Sequence, residues 1–332
     1  MSENKNQPSQ NLGLDLVRVT EAAALSAGRW LGVGKRKEAH QAATEAMAKV
    51  LNSLDMDGQI VVGEEGRLGV SSVLDTGKRV GNGKGPQVDV VVDPIDGTNL
   101  LVQGMAGAIS VVGVAPRGTM WSPGPAVYME KIVVNRDVAS FLVPECLDAP
   151  AAWTLALIAR AKQKELRDLV VFVLDRPRHK DLIDEIRTAG ARVLLRPDGD
   201  VSGALLAAAP RGKVDVLMGT GGAMEGVVAA CAIRALGGAM LASLLPQSEG
   251  EQASITSAGI DLSQILNCTE LVRSDEIFFA ATGISDGTLL SGVQYHGSEA
   301  STESLVLRSK TGTRRTIFAE HTLALYKHIL GN

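Results

Sequence analysis

Apolar residues recur at helical spacing over residues 11–31, where Leu12, Leu16, Val19, Ala23 and Ala27 share one stripe. The same period returns over 35–54, with Ala39, Ala42, Ala43, Ala46, Met47 and Val50 facing inward. The pattern then shortens. Residues 59–62, 88–92, 108–115 and 131–134 read as strands, valine-rich because branched side chains fit a pleated, half-buried surface. Composition shifts at residues 144–150, a candidate domain boundary. Beyond it the periods alternate: helix 152–168, strand 169–174, helix 181–189, strand 191–195, helix 201–208, strand 214–218 and helix 224–236. Residues 277–281 form a further strand, and 304–308 pairs with 314–318 around Lys310-Thr311-Gly312. Strands interleaved with helices predict a layered α/β protein. Length suggests about two domains, placed at 12–150 and 151–332.

Composition narrows the partners. The net charge of −4 and the lack of a long basic block argue against nucleic acid and anionic membrane. Aromatic residues at 3% argue against base-stacking surfaces. The polar first eleven residues read neither as a secretory signal nor as a membrane span. Cys146, Cys231 and Cys268 are far apart and odd in number, which fits buried thiols in a reducing cytoplasm. The alanine-rich helices suit a homo-oligomer interface or an ordinary core equally well.

The densest chemistry is Asp93-Pro94-Ile95-Asp96-Gly97-Thr98, at the end of the valine run. Pro94 fixes its own φ and pushes Asp93 toward extended geometry, and Gly97 permits a tight turn. Carboxylates so held suit a hard cation such as Mg²⁺ or Mn²⁺ and a phosphate carried on it; an ordinary surface turn has the same composition. Other strand ends carry Glu64 and Glu65, Asp198 and Asp200, Glu225, and the cations of Arg176-Pro177-Arg178-His179. Carboxylates for metal and guanidinium forks for phosphate together describe metal-assisted phosphate-ester chemistry. Gly81-Asn82-Gly83-Lys84-Gly85 lacks P-loop spacing, and Gly219-Thr220-Gly221-Gly222 lacks the dinucleotide fingerprint. There is no zinc spacing and no serine elbow.

The hexapeptide resembles the signature of the lithium-sensitive, metal-dependent phosphatases, which include inositol monophosphatases and fructose-1,6-bisphosphatases. Arg18-Val19-Thr20-Glu21-Ala22-Ala23, Tyr128-Met129-Glu130-Lys131, Arg176-Pro177-Arg178-His179 and Pro197-Asp198-Gly199-Asp200-Val201 narrow the resemblance to class II fructose-1,6-bisphosphatases. Gly221-Gly222-Ala223-Met224-Glu225-Gly226 and Ala281-Thr282-Gly283-Ile284 extend it, in order, over about residues 12–325. The resemblance implies the layered α/β/α sugar-phosphatase fold with mixed sheets in two halves, 12–150 binding metal and 151–332 binding substrate. It implies metal ligands at Glu64, Asp93 and Asp96, helped by the Ile95 carbonyl, with Glu225 also near a metal. Thr98 would orient or activate the nucleophile; whether water or the Thr98 hydroxyl attacks first stays open. Gly97, Thr98, Tyr128, Arg176, Arg178, Asp198, Asp200 and Gly222 would contact a sugar bisphosphate. The implied reaction removes the 1-phosphate of fructose 1,6-bisphosphate in gluconeogenesis, with sedoheptulose 1,7-bisphosphate as a second substrate and Mn²⁺ or Mg²⁺ as cofactor.

Three departures qualify this. Aligned from Trp30-Leu31-Gly32, Arg36 and His40 stand where the family has Lys and a metal-binding Asp. Imidazole binds Mn²⁺ or Zn²⁺ but is a poor Mg²⁺ ligand, so His40 is either a replacement ligand or an exposed helix residue. Gly63-Glu64-Glu65-Gly66 replaces Gly-Glu-Gly-Glu, leaving Glu65 as an alternative to Glu64, and residues 67–74 also differ. Met224 stands where Pro is usual. Two readings follow: a working phosphatase with altered metal preference, or a weakened paralogue that binds sugar phosphates and regulates.

Overall fold

The computed structural model describes residues 12–64 and 71–330. The expected helix start at Asn11, the alternative ligand Glu65 and residues 67–70 of the 67–74 departure lie outside the described residues.

Two mixed sheets carry the fold. The first is built from β1 (Asp57–Val62), β2 (Arg79–Val80), β3 (Gln87–Asp96) and β4 (Ile109–Pro116). The chain then lays down the second with β5 (Tyr128–Val134), β6 (Val170–Leu174), β7 (Arg192–Arg196), β8 (Val216–Gly222), β9 (Ala239–Leu244) and β10 (Leu266–Asn267). It finally returns to the first sheet with β11 (Phe278–Gly283), β12 (Gln294–His296), β13 (Glu299–Arg308) and β14 (Thr313–Thr322). The strand orders are β12-β13-β11-β4-β3-β1-β2, with β14 on the other side of β13, and β10-β9-β5-β8-β6-β7. The chain therefore does not change sheets at the composition shift of residues 144–150. β5 precedes that stretch yet pairs with β8 and β9, which follow it.

The helices are α1 (Leu12–Ala27), α2 (Arg36–Leu51), α3 (Thr98–Val102), α4 (Ala151–Lys162), α5 (Lys180–Thr188), α6 (Asp200–Ala208), α7 (Ala223–Leu236), α8 (Glu249–Ser257), α9 (Cys268–Leu271) and α10 (Leu323–Leu330). Strand alternation distributes the apolar side chains between layers. Val90 and Val92 face the α1/α2 side with Leu16, Leu25, Met47 and Leu51. Val91 faces α6 and α7, together with Met129 and Val133 of the second sheet. Ile132 and Val134 face Leu155, Ile158, Ile183 and Ile186 of α4 and α5. The layer order is therefore helix, sheet, helix, sheet, helix: five layers where the resemblance implied three. No helix among the described residues is long and apolar enough to cross a membrane.

Two expected helices end early. Residues 11–31 split into α1 and a 3-10 turn, Gly28–Trp30. Tyr295 Oη donates to Leu25 O (2.6 Å), and a Cβ on Gly28 would lie 2.8 Å from that hydroxyl. Residues 152–168 stop at Lys162, because Gln163 turns left-handed (φ 53°) and a separate 3-10 turn follows, Leu166–Asp168. The hairpin around Lys310-Thr311-Gly312 forms as expected but pairs ten residues on each side, Glu299↔Thr322 through Arg308↔Thr313.

A buried polar cluster joins α1 to β13 and β14. Thr302 Oγ1 lies 3.4 Å from Glu21 Oε1 and 2.8 Å from His321 Nε2. Burial, opposed by Thr302 and Arg18, pushes the Glu21 carboxyl up to about 7. The folded state thus holds a proton that the unfolded chain releases, and its contribution is present below about pH 4.5 and lost as pH rises through about 7. Such a shift is worth about 3 kcal/mol. Glu21→Gln is expected to flatten this loss, giving a higher melting temperature than the parent at pH 8. Parallel melting curves from pH 5 to 8 would refute it.

Candidate active site

The cleft is organised by the end of β3. On a regular strand, residues three apart point to opposite faces, so Asp93 and Asp96 would diverge. The register against β4 slips between them, with Asp93 opposite Val111 and Asp96 opposite Ile109. One extra residue on β3 forms a bulge, which re-aims side chains. Pro94, lacking a donor for the ladder, occupies it. Both aspartates consequently line one cleft of about 450 Å³, although each is almost fully buried from bulk solvent.

Two Asp-Gly turns face each other across this cleft. Gly97 (φ 88°) precedes α3, and Gly199 (φ 94°) precedes α6. Each adopts the left-handed conformation that only glycine takes without cost. Each turn's aspartate caps the other turn's helix. Asp96 accepts from the amides of Val201 (3.2 Å) and Ser202 (2.8 Å), and Asp198 Oδ2 accepts from Asn99 N (3.0 Å). These crossed caps satisfy helix-start donors that would otherwise be orphaned. Burial and then the neighbouring Asp93 charge raise the Asp96 carboxyl well above its ordinary value, against the opposing Ser202 amide.

The second sheet supplies the cations and the far wall. Arg178 donates Nε and Nη2 to Thr220 O (3.2 and 2.8 Å), and its guanidinium lies 5.0 Å over the Tyr128 ring. Arg176 Nη2 lies 3.7 Å from Asp198 Oδ1. His179 is neutral: Nε2 accepts from Thr220 N (2.8 Å), so the proton sits on Nδ1, which donates to Leu174 O (2.7 Å). Burial holds its pKa below the ordinary value. Gly222 borders the cleft under Glu225, where a Cβ would stand 1.7 Å from Oε2.

Of the residues singled out from sequence, Asp93, Asp96, Gly97, Thr98, Tyr128, Arg176, Arg178, Asp198, Asp200, Gly222 and Glu225 line this one cleft, joined by Arg36. Arg36 Nη1 donates to Asn99 Oδ1 (2.8 Å). Thr98 Oγ1 donates to the Ile95 carbonyl (3.2 Å). Glu64 and His40 do not line the cleft. The parallel pairing Val62↔Val91 sets Glu64 level with Asp93 behind it, with no exposed surface. His40 is not an exposed helix residue: it is 3% exposed, and its Nε2 lies at ion-pair distance, 2.8 Å, from Glu64 Oε2.

Sequence reasoning passed over Lys131. It is 2% exposed, pairs with Asp200 and donates to Gly222 O (3.0 Å), while Gly222 N donates to Asp200 Oδ2 (3.1 Å). Its signal was a lone cation in the apolar strand β5.

Among the described residues, no three His, Cys, Asp or Glu side chains are gathered as a ligand group. Two observations nevertheless fit a cation. Asp93 crowds Asp96 with like charge, which a cation relieves. Glu64 Oε1 is buried and no donor among the described residues reaches it.

The family model described as bacterial fructose-1,6-bisphosphatase, glpX-encoded, matches residues 10–321. The chain is 42% identical over 330 residues to the fructose-1,6-bisphosphatase class 2 of Haemophilus influenzae, covering 95% of this chain and 98% of that protein. It is 40% identical over 327 residues to fructose-1,6-bisphosphatase 1 class 2 of Escherichia coli K12, covering 95% and 96%. Matched over nearly its whole length, the chain belongs to the glpX-encoded bacterial fructose-1,6-bisphosphatase family.

Proposed function

We propose that the cleft hydrolyses the 1-phosphate of fructose 1,6-bisphosphate, giving fructose 6-phosphate and inorganic phosphate in cytoplasmic gluconeogenesis, with sedoheptulose 1,7-bisphosphate as a second substrate. The observation that carries this is the opposition of Asp93, Asp96 and Thr98 to Arg176 and Arg178 in one cleft. The first-sheet residues 93–98 handle the scissile phosphate. The Gly97 and Thr98 amides bind its oxygens, and Thr98 Oγ1 orients the nucleophile. Residues of the second sheet and its loops hold the sugar: Arg176 and Arg178 take the distal phosphate, and Tyr128, Asp198, Asp200 and Gly222 contact the rest. Asp93, Asp96, Glu225 and Glu64 Oε1 would hold Mn²⁺ or Mg²⁺, which when bound neutralises phosphate charge and acidifies a water.

Phosphate release from fructose 1,6-bisphosphate, measured with Mg²⁺, Mn²⁺ and Zn²⁺ in turn, tests the reading. Turnover is expected with Mn²⁺ at least. No turnover with any ion, alongside retained sugar-phosphate binding, would instead establish a regulatory binder, a reading favoured by the His40 contact that engages Glu64. His40→Asp places two buried carboxylates together, which ionise only beside a cation. The variant is expected to gain dependence on Mg²⁺, and an unchanged metal profile would show that position 40 does not shape the metal shell.

A further inference from the structure

The pairing of β6 with β8 stops before either strand reaches the cleft. Its parallel register holds Val171↔Val216 and Phe172↔Leu217 and goes no further. β8 runs on to Gly222, so the backbone N–H and C=O of buried Thr220 need partners that β6 does not supply. Two side chains of the turn after β6, the 3-10 turn Pro177–His179, supply them. His179 Nε2 accepts from Thr220 N at 2.8 Å, and the Arg178 fork donates to Thr220 O at 3.2 and 2.8 Å. Side chains thus continue the ladder where the backbone leaves it. Gly219 makes the room: its φ is 120°, and a Cβ there would lie 2.9 Å from His179 Nε2.

The imidazole is held from its other side as well, because Nδ1 donates to Leu174 O (2.7 Å) at the end of β6. His179 therefore bridges the two strands, although it does not itself line the cleft. The consequence falls on Arg178, which does. Thr220 O takes Nε and one Nη2 hydrogen, leaving the Nη1–Nη2 edge for a phosphate. A guanidinium on a flexible stem binds more tightly when its geometry is fixed beforehand. We propose that His179 is a positioning residue for the substrate: by fixing Thr220 it seats Arg178 for the phosphate distal to the scissile one. The proposal rests on the reading above that Arg178 takes that phosphate. Protonation of Nε2 would set a donor against Thr220 N and unseat Arg178. The ring faces Arg178 of its own turn and Asp200 of α6, and it shares the hollow behind it with Glu130 of β5 and Glu185 of α5. Burial, opposed by the Leu174 bond, keeps it neutral, so the seat is lost only as pH falls below the ordinary histidine value.

The test separates the two ring nitrogens on the full chain. Asparagine places its amide nitrogen near the position of Nδ1, and glutamine places its amide oxygen near that of Nε2. His179→Asn keeps the Leu174 link and loses the acceptor for Thr220, whereas His179→Gln does the reverse. His179→Asn is expected to raise KM for fructose 1,6-bisphosphate about tenfold and to leave kcat within about twofold, the pattern of lost uniform binding. His179→Gln is expected to hold KM within about threefold of the parent and to remove the part of the parent's KM rise below about pH 6 that comes from the imidazole. Fructose 6-phosphate, which carries only the distal phosphate, supplies a readout without turnover. Its Kd, measured by calorimetry, is expected to rise about tenfold in His179→Asn and to recover in His179→Gln. Each variant loses one hydrogen bond, so their melting temperatures are expected to fall together while their affinities part. A His179→Asn variant with the parent's KM and Kd, or a His179→Gln variant weakened as much, would overturn the proposal. A parent without turnover would refute the hydrolytic reading, and the Kd values would still decide the role of His179.

Discussion

Asp93→Asn is expected to keep its fold and lose its turnover. Asparagine has the same shape, and its oxygen can still accept from Ile95 N, as Asp93 Oδ1 does at 3.1 Å. What it lacks is charge at the bulge where β3 meets the cleft. Removing that charge also lessens the repulsion that raises Asp96. Stability should therefore hold or rise slightly, measured as melting temperature at pH 7. Catalysis should fall about 10³-fold or more, equivalent to ~4 kcal/mol of transition-state stabilisation. The pairing of a large rate loss with an intact fold is the diagnostic outcome. Turnover within tenfold of the parent would remove Asp93 from the machinery.

Lys131→Met is expected to cost both stability and substrate affinity. The lysine is buried and pairs with Asp200, and it ties Gly222 to the start of α6 from beneath the cleft floor. Deleting one partner of a buried ion pair strands the other charge, at about 3–5 kcal/mol. Adding Asp200→Asn removes the stranded charge and should recover most of the lost stability. It should not recover KM for the sugar bisphosphate, because the added substitution also removes the Asp200 carboxylate. Melting curves and KM values for the two single variants and the double variant separate the roles. A double variant that regains both would reduce the pair to scaffolding.

Much of this was legible in order along the chain, because the informative signals are local. The valine run before Asp93 announced β3, and the hexapeptide announced the cleft. What was not legible depended on long-range pairing or on irregular backbone. β9 (Ala239–Leu244) has no branched residue at Cβ, so its sequence reads no differently from a helix segment. The stop at Gln163 rests on a left-handed residue that is not glycine. The bulge at Pro94 and Ile95 depends on the register with β4, which single-strand periodicity does not reveal. His40 meets Glu64, and Asp96 meets Ser202, only after folding. The return of β11–β14 to the first sheet leaves no local trace, so five layers read as two successive halves.

That return has a consequence for synthesis. The second sheet lies within residues 128–267 and can close as soon as that stretch leaves the ribosome. The first sheet cannot: α1 and α2 emerge early, but β11, which joins β4, and β13, which joins β11, begin only at residue 278 and complete their platform. At roughly 5–20 residues per second, the gap from β4 to β11 holds those helices unfinished for on the order of ten to thirty seconds. The nascent chain thus carries a finished second sheet beside an exposed alanine-rich helix pair awaiting its partner strands. The sheet behind Asp93 and Asp96 is completed last, and a chaperone acting on this protein would meet its N-terminal helices.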